Sequence, residues 1–128
     1  MPRRTIDFDT IREIGLGFSG VEDGTAYGFP ALKVGGKILA CLPANRSAEP
    51  GSLVVRVSLD DRAALLAEAP DVYYLTDHYA GYNAVLVRLS RVNTGVLRDL
   101  LRMAYEFVTA GAAGRSRSQK RRKARPGR

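Results

Sequence analysis

A pair of glycines between two largely apolar segments constrains the fold of this chain more than any other feature. The segments are residues 31–34 and 37–42, and Gly35 and Gly36 separate them. Both central residues of a tight hairpin turn need positive φ, which glycine adopts without steric cost. The pattern therefore predicts two antiparallel strands that are direct neighbours in a sheet.

Helical and strand-like segments alternate along the rest of the chain. Two-residue alternation or β-branched and aromatic residues predict further strands at positions 25–27, 52–57, 72–75 and 84–89. Apolar residues at helical spacing predict helices at positions 7–18, from the capping residue Ser58 to Ala69, and at 94–109 behind the cap Asn93. Pro30 is expected to break the first of these strands or to confine it to a sheet edge, and positions 78–83 are expected to form a loop around Gly81.

This order of elements predicts an α+β fold. Strands joined by a hairpin, with the helices set apart from them, favour a mainly antiparallel sheet with helices packed on one face. The apolar share of 45% is sufficient for one core. Residues 1–110 are therefore expected to form a single domain.

The positive charge is concentrated at the C-terminal end. The formal charge is +7, from 20 basic and 13 acidic residues, and positions 115–128 hold eight of the cations and no acid. The other 114 residues are close to neutral. A run of like charges without large apolar side chains cannot bury enough surface to offset its chain entropy. We therefore expect residues 111–128 to be a disordered basic tail.

Such a tail is suited to a polyanion such as DNA or RNA. Phosphate contacts supply affinity without reading bases, so binding through the tail is expected to be largely non-specific. The alternative is a tail that only keeps the protein soluble. The cations predicted to contact nucleic acid are Arg115, Arg117, Lys120, Arg121, Arg122, Lys123, Arg125 and Arg128.

Several functional classes are disfavoured by what the sequence lacks. No stretch approaches the roughly 18 apolar residues of a membrane span, and acids stand where a signal peptide needs its apolar stretch. The single cysteine, Cys41, cannot form an internal disulfide, so the cytoplasm is the expected compartment. With one histidine and no metal-binding or phosphate-loop motif, we expect neither an enzyme nor a bound cofactor or metal. The oligomeric state is left open.

Positions 73–82 are the most suggestive part of the domain, because they hold four of the six tyrosines and the only histidine. His78, Tyr79 and Tyr82 are candidates for a recognition loop that offers stacking surfaces and a group titrating near neutral pH. With Tyr27 they could instead line a pocket for a small ligand or a protein partner. The alternative is a structural loop whose tyrosines pack over the sheet, which we favour for Tyr73 and Tyr74.

Two segments resemble the signatures of the MmcQ/YjbR family. They are residues 25–37, TAYGFPALKVGGK, and residues 74–82, YLTDHYAGY, followed by 85–89, VLVRL. The resemblance implies a CyaY-like α+β fold in a small bacterial protein, and a family described as DNA-binding with a double-wing motif. The chain departs from the family at Asn83 and Ala84, where a Pro-Trp pair is usual, and in its basic tail.

The hairpin is the candidate wing of such a DNA-binding protein. Its lysines could meet a phosphate backbone, or they could simply prevent unwanted strand pairing. The local patch that could serve the folded body consists of Lys33, Lys37, Arg46 and Arg88. The leading hypothesis is thus a DNA-binding protein that acts mainly through its tail, and the alternative is a ligand- or protein-binding module. An enzyme using His78 is a third, weaker hypothesis, because no second catalytic group is visible.

Overall fold

A six-stranded antiparallel sheet organises the part of the chain that the computed structural model describes, residues 6–113. Four α-helices and one 3-10 turn at Leu89–Arg91 accompany the sheet within these residues. In chain order the elements are α1 (Phe8–Gly15), β1 (Val21–Ala26), β2 (Phe29–Val34), β3 (Lys37–Cys41), β4 (Ser52–Arg56), α2 (Leu59–Glu68), β5 (Tyr73–Tyr74), α3 (Asp77–Ala80), β6 (Ala84–Arg88) and α4 (Thr94–Ala113).

The strands lie in the order β1-β2-β3-β4-β6-β5, and each pair of neighbours is antiparallel. The predicted hairpin is confirmed, since Gly35 and Gly36 have φ of 60° and 80° and join β2 to β3. A second tight turn joins β1 to β2 through Tyr27 and Gly28, with φ of 54° and 84°. The α+β fold class predicted from the sequence is therefore confirmed.

The helices begin where polar side chains can satisfy their first backbone N–H groups. The Asp7 carboxylate accepts from Thr10 N at 3.1 Å, and the Ser58 hydroxyl accepts from Asp61 N at 3.1 Å. Asn93 caps α4 by accepting from Val96 N at 2.9 Å. These contacts confirm the predicted starts of α1, α2 and α4.

The strand predicted at 25–27 corresponds to β1, which ends before Pro30 and lies at the sheet edge as expected, whereas Pro30 itself lies within β2, between β1 and β3. The Pro30 carbonyl accepts a hydrogen bond from Leu42 N at 3.1 Å. The N–H and C=O of one residue point to the same side of an antiparallel strand. The missing N–H therefore faces Leu42, just past the end of β3, so this pair has one hydrogen bond where other residues could form two.

Other boundaries also differ from the sequence predictions. β1 begins at Val21, and Tyr27 belongs to the turn that follows it. The predicted loop at 78–83 contains the single turn of α3. α1 ends at Gly15, where the absence of a side chain lets the helix end lie against Leu32 of β2. α4 continues to Ala113, and the rest of the predicted basic tail, residues 114–128, lies outside the described residues.

The two faces of the sheet are covered differently. α1, α2 and α4 pack on one face, the helix face, around large aliphatic side chains such as Ile11, Leu39 and Leu101. The other face, the open face, carries a smaller buried cluster made of Ala26, Ala31, Cys41, Val54, Tyr79, Ala84 and Leu86. α3 and the loop at 42–51 cover only part of this cluster, through Tyr79 and Ala48. In the described range, no helix is long and apolar enough to cross a bilayer.

Candidate functional site

A cavity of about 580 Å³ lies on the open face of the sheet. We call it the open-face cavity. Strand residues form its apolar base, and they include Ile38, Cys41, Val54 and Ala84. All four residues predicted as pocket candidates, Tyr27, His78, Tyr79 and Tyr82, line this cavity.

The aromatic residues of α3 and the following loop form one contiguous cluster. The His78 ring meets the Tyr79 ring edge to face, with centroids 4.7 Å apart, and lies 5.6 Å from the Tyr82 ring. Tyr79 and Tyr82 are 6.4 Å apart. These separations lie within the range of favourable aromatic pairs. The cluster therefore forms one wall of the open-face cavity.

The three residues of this wall differ in burial and in hydrogen bonding. Tyr79 is buried, and its hydroxyl accepts a hydrogen bond from Asn45 N at 3.3 Å. Burial raises the pKa of Tyr79, which keeps its hydroxyl protonated. His78 and Tyr82 are exposed, Tyr82 with 53% of its surface accessible. Tyr79 is thus the anchor of the wall, while His78 and Tyr82 offer free surfaces.

Tyr73 and Tyr74 stand apart from the cavity, as the structural interpretation of these two residues predicts. Tyr73 is buried in the core of the helix face. The Tyr74 hydroxyl accepts from Glu49 N at 2.7 Å and shares a 2.6 Å hydrogen bond with the Ser52 hydroxyl. Its role in the described structure is to tie the loop at 42–51 to the sheet.

Two arginines that sequence reasoning did not single out hold the loop between α3 and β6. Arg62 of α2 donates through one Nη atom to the carbonyl oxygens of Ala80, Tyr82 and Ala84, at 3.4, 2.8 and 3.3 Å. Arg56 of β4 donates through Nε to the carbonyl oxygen of Asn83 at 3.0 Å. In the sequence, the one sign of such a role was that Arg56 places a charge on the same strand face as the apolar residue Val54.

Arg56 also gives the open-face cavity its charge. Among the described residues that line the cavity, Arg56 is the one Arg or Lys, and there is no Asp or Glu. Burial raises the pKa of the nearby Cys41 thiol to about 11, and the positive charge of Arg56 opposes that rise. The Cys41 thiol is therefore neutral at physiological pH and acts as an apolar part of the base.

The four cations predicted as a wing patch do not converge. Lys33 lies opposite Glu22 and Ile38, on the open face, whereas Lys37 lies opposite Val34, on the helix face. Directly opposed residues share a face, so the two lysines point to opposite sides of the hairpin.

The remaining two candidates lie at the other end of β3. Arg46 is exposed in the loop that follows this strand, and Arg88 lies opposite Ser52, the first residue of β4. Arg88 is already engaged: it contacts the Glu49 carboxylate at 2.9 Å and lies 4.4 Å from the centre of the Tyr74 ring. Only Lys33, Lys37 and Arg46 of this set lack an ion pair within the described range.

The described residues carry a net negative charge. Residues 6–113 contain ten basic and thirteen acidic side chains, which gives a formal charge of −3. Within the same range no group of three or more His, Cys, Asp or Glu residues is arranged to hold a metal ion. The open-face cavity is thus a local positive feature on an otherwise acidic body.

Comparison with known proteins places the chain in a family. The YjbR family model matches residues 16–107. Two similar relatives are the uncharacterized protein Rv2570 of Mycobacterium tuberculosis H37Rv and the uncharacterized protein Mb2600 of Mycobacterium bovis. Each is 39% identical over 62 residues, which cover 46% of this chain and 48% of the relative. The match thus spans about half the length of these relatives.

A solved structure shows the same fold. The crystal structure of the Deinococcus radiodurans protein DR2400, with a domain of the DUF419 family, superposes with a TM-score of 0.69 at 20% identity. The superposition covers 93% of this chain and 91% of the other. The resemblance seen in residues 25–37 and 74–89 is confirmed, and the chain belongs to the YjbR family.

Proposed function

We propose that the folded body is a binding module that holds a small organic molecule in the open-face cavity. The observation that carries this proposal is the convergence of Tyr27, His78, Tyr79 and Tyr82 around one cavity with an apolar base. A volume of about 580 Å³ lies within the usual range for small-molecule sites. An apolar base with a few convergent polar groups is also typical of such sites.

The exposed aromatic surface at the cavity mouth supports the same proposal. Tyr27 has 82% of its surface accessible and Tyr82 has 53%, and both line the cavity. Tyr27 also adopts a φ of 54°, which is uncommon for a bulky residue. Backbone strain of this kind often accompanies a functional site. Holding a large ring at the mouth under strain is easier to explain by ligand contact than by packing.

We propose binding rather than catalysis. Within residues 6–113, the His78 ring packs against the rings of Tyr79 and Tyr82, and no hydrogen bond or ion pair joins it to a carboxylate or to Cys41. The raised pKa of Cys41 also makes it a poor nucleophile at neutral pH. The cytoplasmic location expected from the lone thiol stays a prediction.

A titration of the ¹⁵N-labelled full chain with indole, followed by amide chemical shifts, tests this function. Indole is expected to shift the amide signals of Cys41, Gly81 and Ala84. Ala84→Leu should remove these shifts, because the added side chain enters the cavity from its base. The matched control Ala63→Leu, on the exposed side of α2, should leave them unchanged. Indole that causes no shifts, or equal shifts in Ala84→Leu, would contradict the proposal.

A second candidate function is phosphate-driven binding of DNA through the basic segment. The observation that favours it is the block of eight cations and no acid at 115–128, which follows a body with a charge of −3. Because the wing candidates Lys33 and Lys37 lie on opposite faces, the hairpin would add little to a single phosphate contact surface. Removal of residues 115–128 and measurement of duplex binding test this candidate.

A further inference from the structure

We propose that the molecule held in the open-face cavity is a planar ring compound with one carboxylate, and that Arg56 binds the carboxylate. This inference rests on the proposed binding function and assigns its ligand class. It depends on three features of the described residues: the charge of the cavity lining, the unused hydrogen-bonding groups of Arg56, and the exposed rings at the mouth.

The lining has a single full charge. Arg56 is its one Arg or Lys, and no described Asp or Glu is part of it. Arg56 is half-buried, and a charge that is partly shielded from water is stabilised by an opposite charge. A ligand with one negative charge would compensate Arg56, whereas a dianionic phosphate would bring one charge more than the lining can neutralise. The charge balance therefore favours a carboxylate.

Arg56 differs from the other half-buried arginines in how its donors are used. Arg12 and Arg88 each contact carboxylates, and Arg62 donates to three carbonyl oxygens. Arg56 donates to the described residues only through Nε, to Asn83 O at 3.0 Å. Its two Nη groups make no hydrogen bond within residues 6–113. Arginine can bind a carboxylate through two parallel N–H groups, so these donors match the proposed ligand.

The Arg56 side chain is held in place before any ligand binds. Its Nε bond fixes one edge of the guanidinium, and its Cζ atom lies 5.7 Å from the centre of the Phe107 ring on α4. A cation above an aromatic ring gains electrostatic stabilisation. Its charge also acts on the cavity base, because it opposes the rise in the pKa of Cys41 that burial causes. A preorganised cation loses little entropy when an anion arrives.

The other half of the proposed ligand is set by the rings. Tyr27 and Tyr82 are more than half exposed, and His78 is exposed next to Tyr82. Aromatic rings pair favourably in stacked or edge-to-face arrangements. A planar ring compound would cover these surfaces and the apolar base at once, with its carboxylate directed toward Arg56.

Indole-3-acetate and indole-3-acetamide form a matched pair of probes, since they share ring and shape and differ in charge. Titrations of the ¹⁵N-labelled full chain give both affinities. We expect the acid to bind about tenfold more tightly than the amide, as a charge-assisted bidentate contact allows. Equal affinities of acid and amide for the unmodified chain would overturn the inference, whatever the variants show.

Substitutions at Arg56 locate the discrimination. Arg56→Met should bring the two affinities within about twofold of each other by weakening only the acid, and Arg56→Lys should keep most of the preference. Arg98→Met, on the exposed side of α4, removes a charge elsewhere and should keep the preference. A preference that survives in a folded Arg56→Met protein would overturn the assignment of Arg56. Failure of indole itself to bind counts against the proposed function, whereas indole binding without acid preference counts only against this inference.

Discussion

The guanidinium of Arg62 lies 2.8 Å from the carbonyl oxygen of Tyr82, and the same Nη atom reaches the carbonyls of Ala80 and Ala84. α2 is thereby attached to the loop that carries part of the cavity wall. Charged donors make stronger hydrogen bonds than neutral ones. The loop thus has a defined shape although its residues between α3 and β6 are mostly exposed.

Loss of the Arg62 guanidinium should loosen this loop. We expect Arg62→Met to lower the free energy of unfolding by about 1–2 kcal/mol, because three carbonyl oxygens lose a charged donor. Amide hydrogen exchange at Gly81 and Asn83 should accelerate more than exchange in β4. The control Arg98→Met should change neither quantity. A protein with unchanged exchange at the loop would show that the Arg62 contacts do not hold it.

Replacement of Tyr27 by asparagine should stabilise the folded protein and weaken ligand binding in the open-face cavity. Asn-Gly is the preferred pair for this type of turn, because asparagine tolerates positive φ. We expect Tyr27→Asn to raise the free energy of unfolding by about 0.5–1 kcal/mol and to weaken indole binding. Tyr27→Phe keeps the ring and should change stability little. A Tyr27→Asn protein that is less stable, or that binds indole equally well, would contradict this prediction.

Stability should fall with alkaline pH through Cys41. In the unfolded chain the thiol loses its proton near its ordinary pKa of 9.0, whereas the folded protein holds it to about 11. The contribution of Cys41 is therefore complete below pH 9 and is lost as the pH rises to about 11, at most roughly 1.4 kcal/mol per pH unit. Urea unfolding of the protein and of Cys41→Ala at several pH values measures it.

The difference between the two proteins isolates this effect. Burial also raises the pKa of Tyr73 and Tyr79, so both proteins should lose stability at the alkaline end. The stability of the unmodified protein should fall more steeply between pH 9 and 11 than that of Cys41→Ala. Parallel pH profiles would show that the thiol ionises as easily in the folded state as in the unfolded chain.

The basic segment should make DNA binding steeply dependent on salt. If all eight cations at 115–128 meet phosphates, the logarithm of the binding constant falls with the logarithm of salt concentration at a slope of about −7. Fluorescence anisotropy with a short labelled duplex gives this slope. Replacement of the eight cations by Ser and Gln should bring it close to zero. Absence of binding by the full chain at low salt would refute the DNA-binding candidate.

The sequence predicted those parts of the fold that depend on local chemistry. Gly35 and Gly36 predicted a hairpin because two adjacent glycines leave few other conformations, and Ser58 and Asn93 predicted helix starts through their side-chain oxygens. The turn at Tyr27 and Gly28 was missed, since a tyrosine at positive φ is not a local preference. The Tyr27 side chain is 82% exposed, so packing against the core does not account for this conformation.

The candidate site was predicted in part. The aromatic residues were found by their density in the sequence, whereas Arg56 and Arg62 act on carbonyl oxygens of a distant loop, a relationship that no local pattern carries. The sequence could have shown that the wing candidates Lys33 and Lys37 lie on opposite faces of the hairpin. A two-residue turn at Gly35 and Gly36 places Lys37 opposite Val34 and Lys33 opposite Ile38, and adjacent pairs in a hairpin alternate between faces.

The contact between Arg56 and Phe107 gives the cavity a physical connection to the end of the chain. Phe107 lies in the last turns of α4, the helix that leads toward the cationic segment. An anion paired with the Arg56 guanidinium would offset the positive charge that lies against the Phe107 ring. Ligand binding in the cavity would then change the surroundings of Phe107, near the start of the cationic segment. The chemical shifts of the Phe107 ring would report this change.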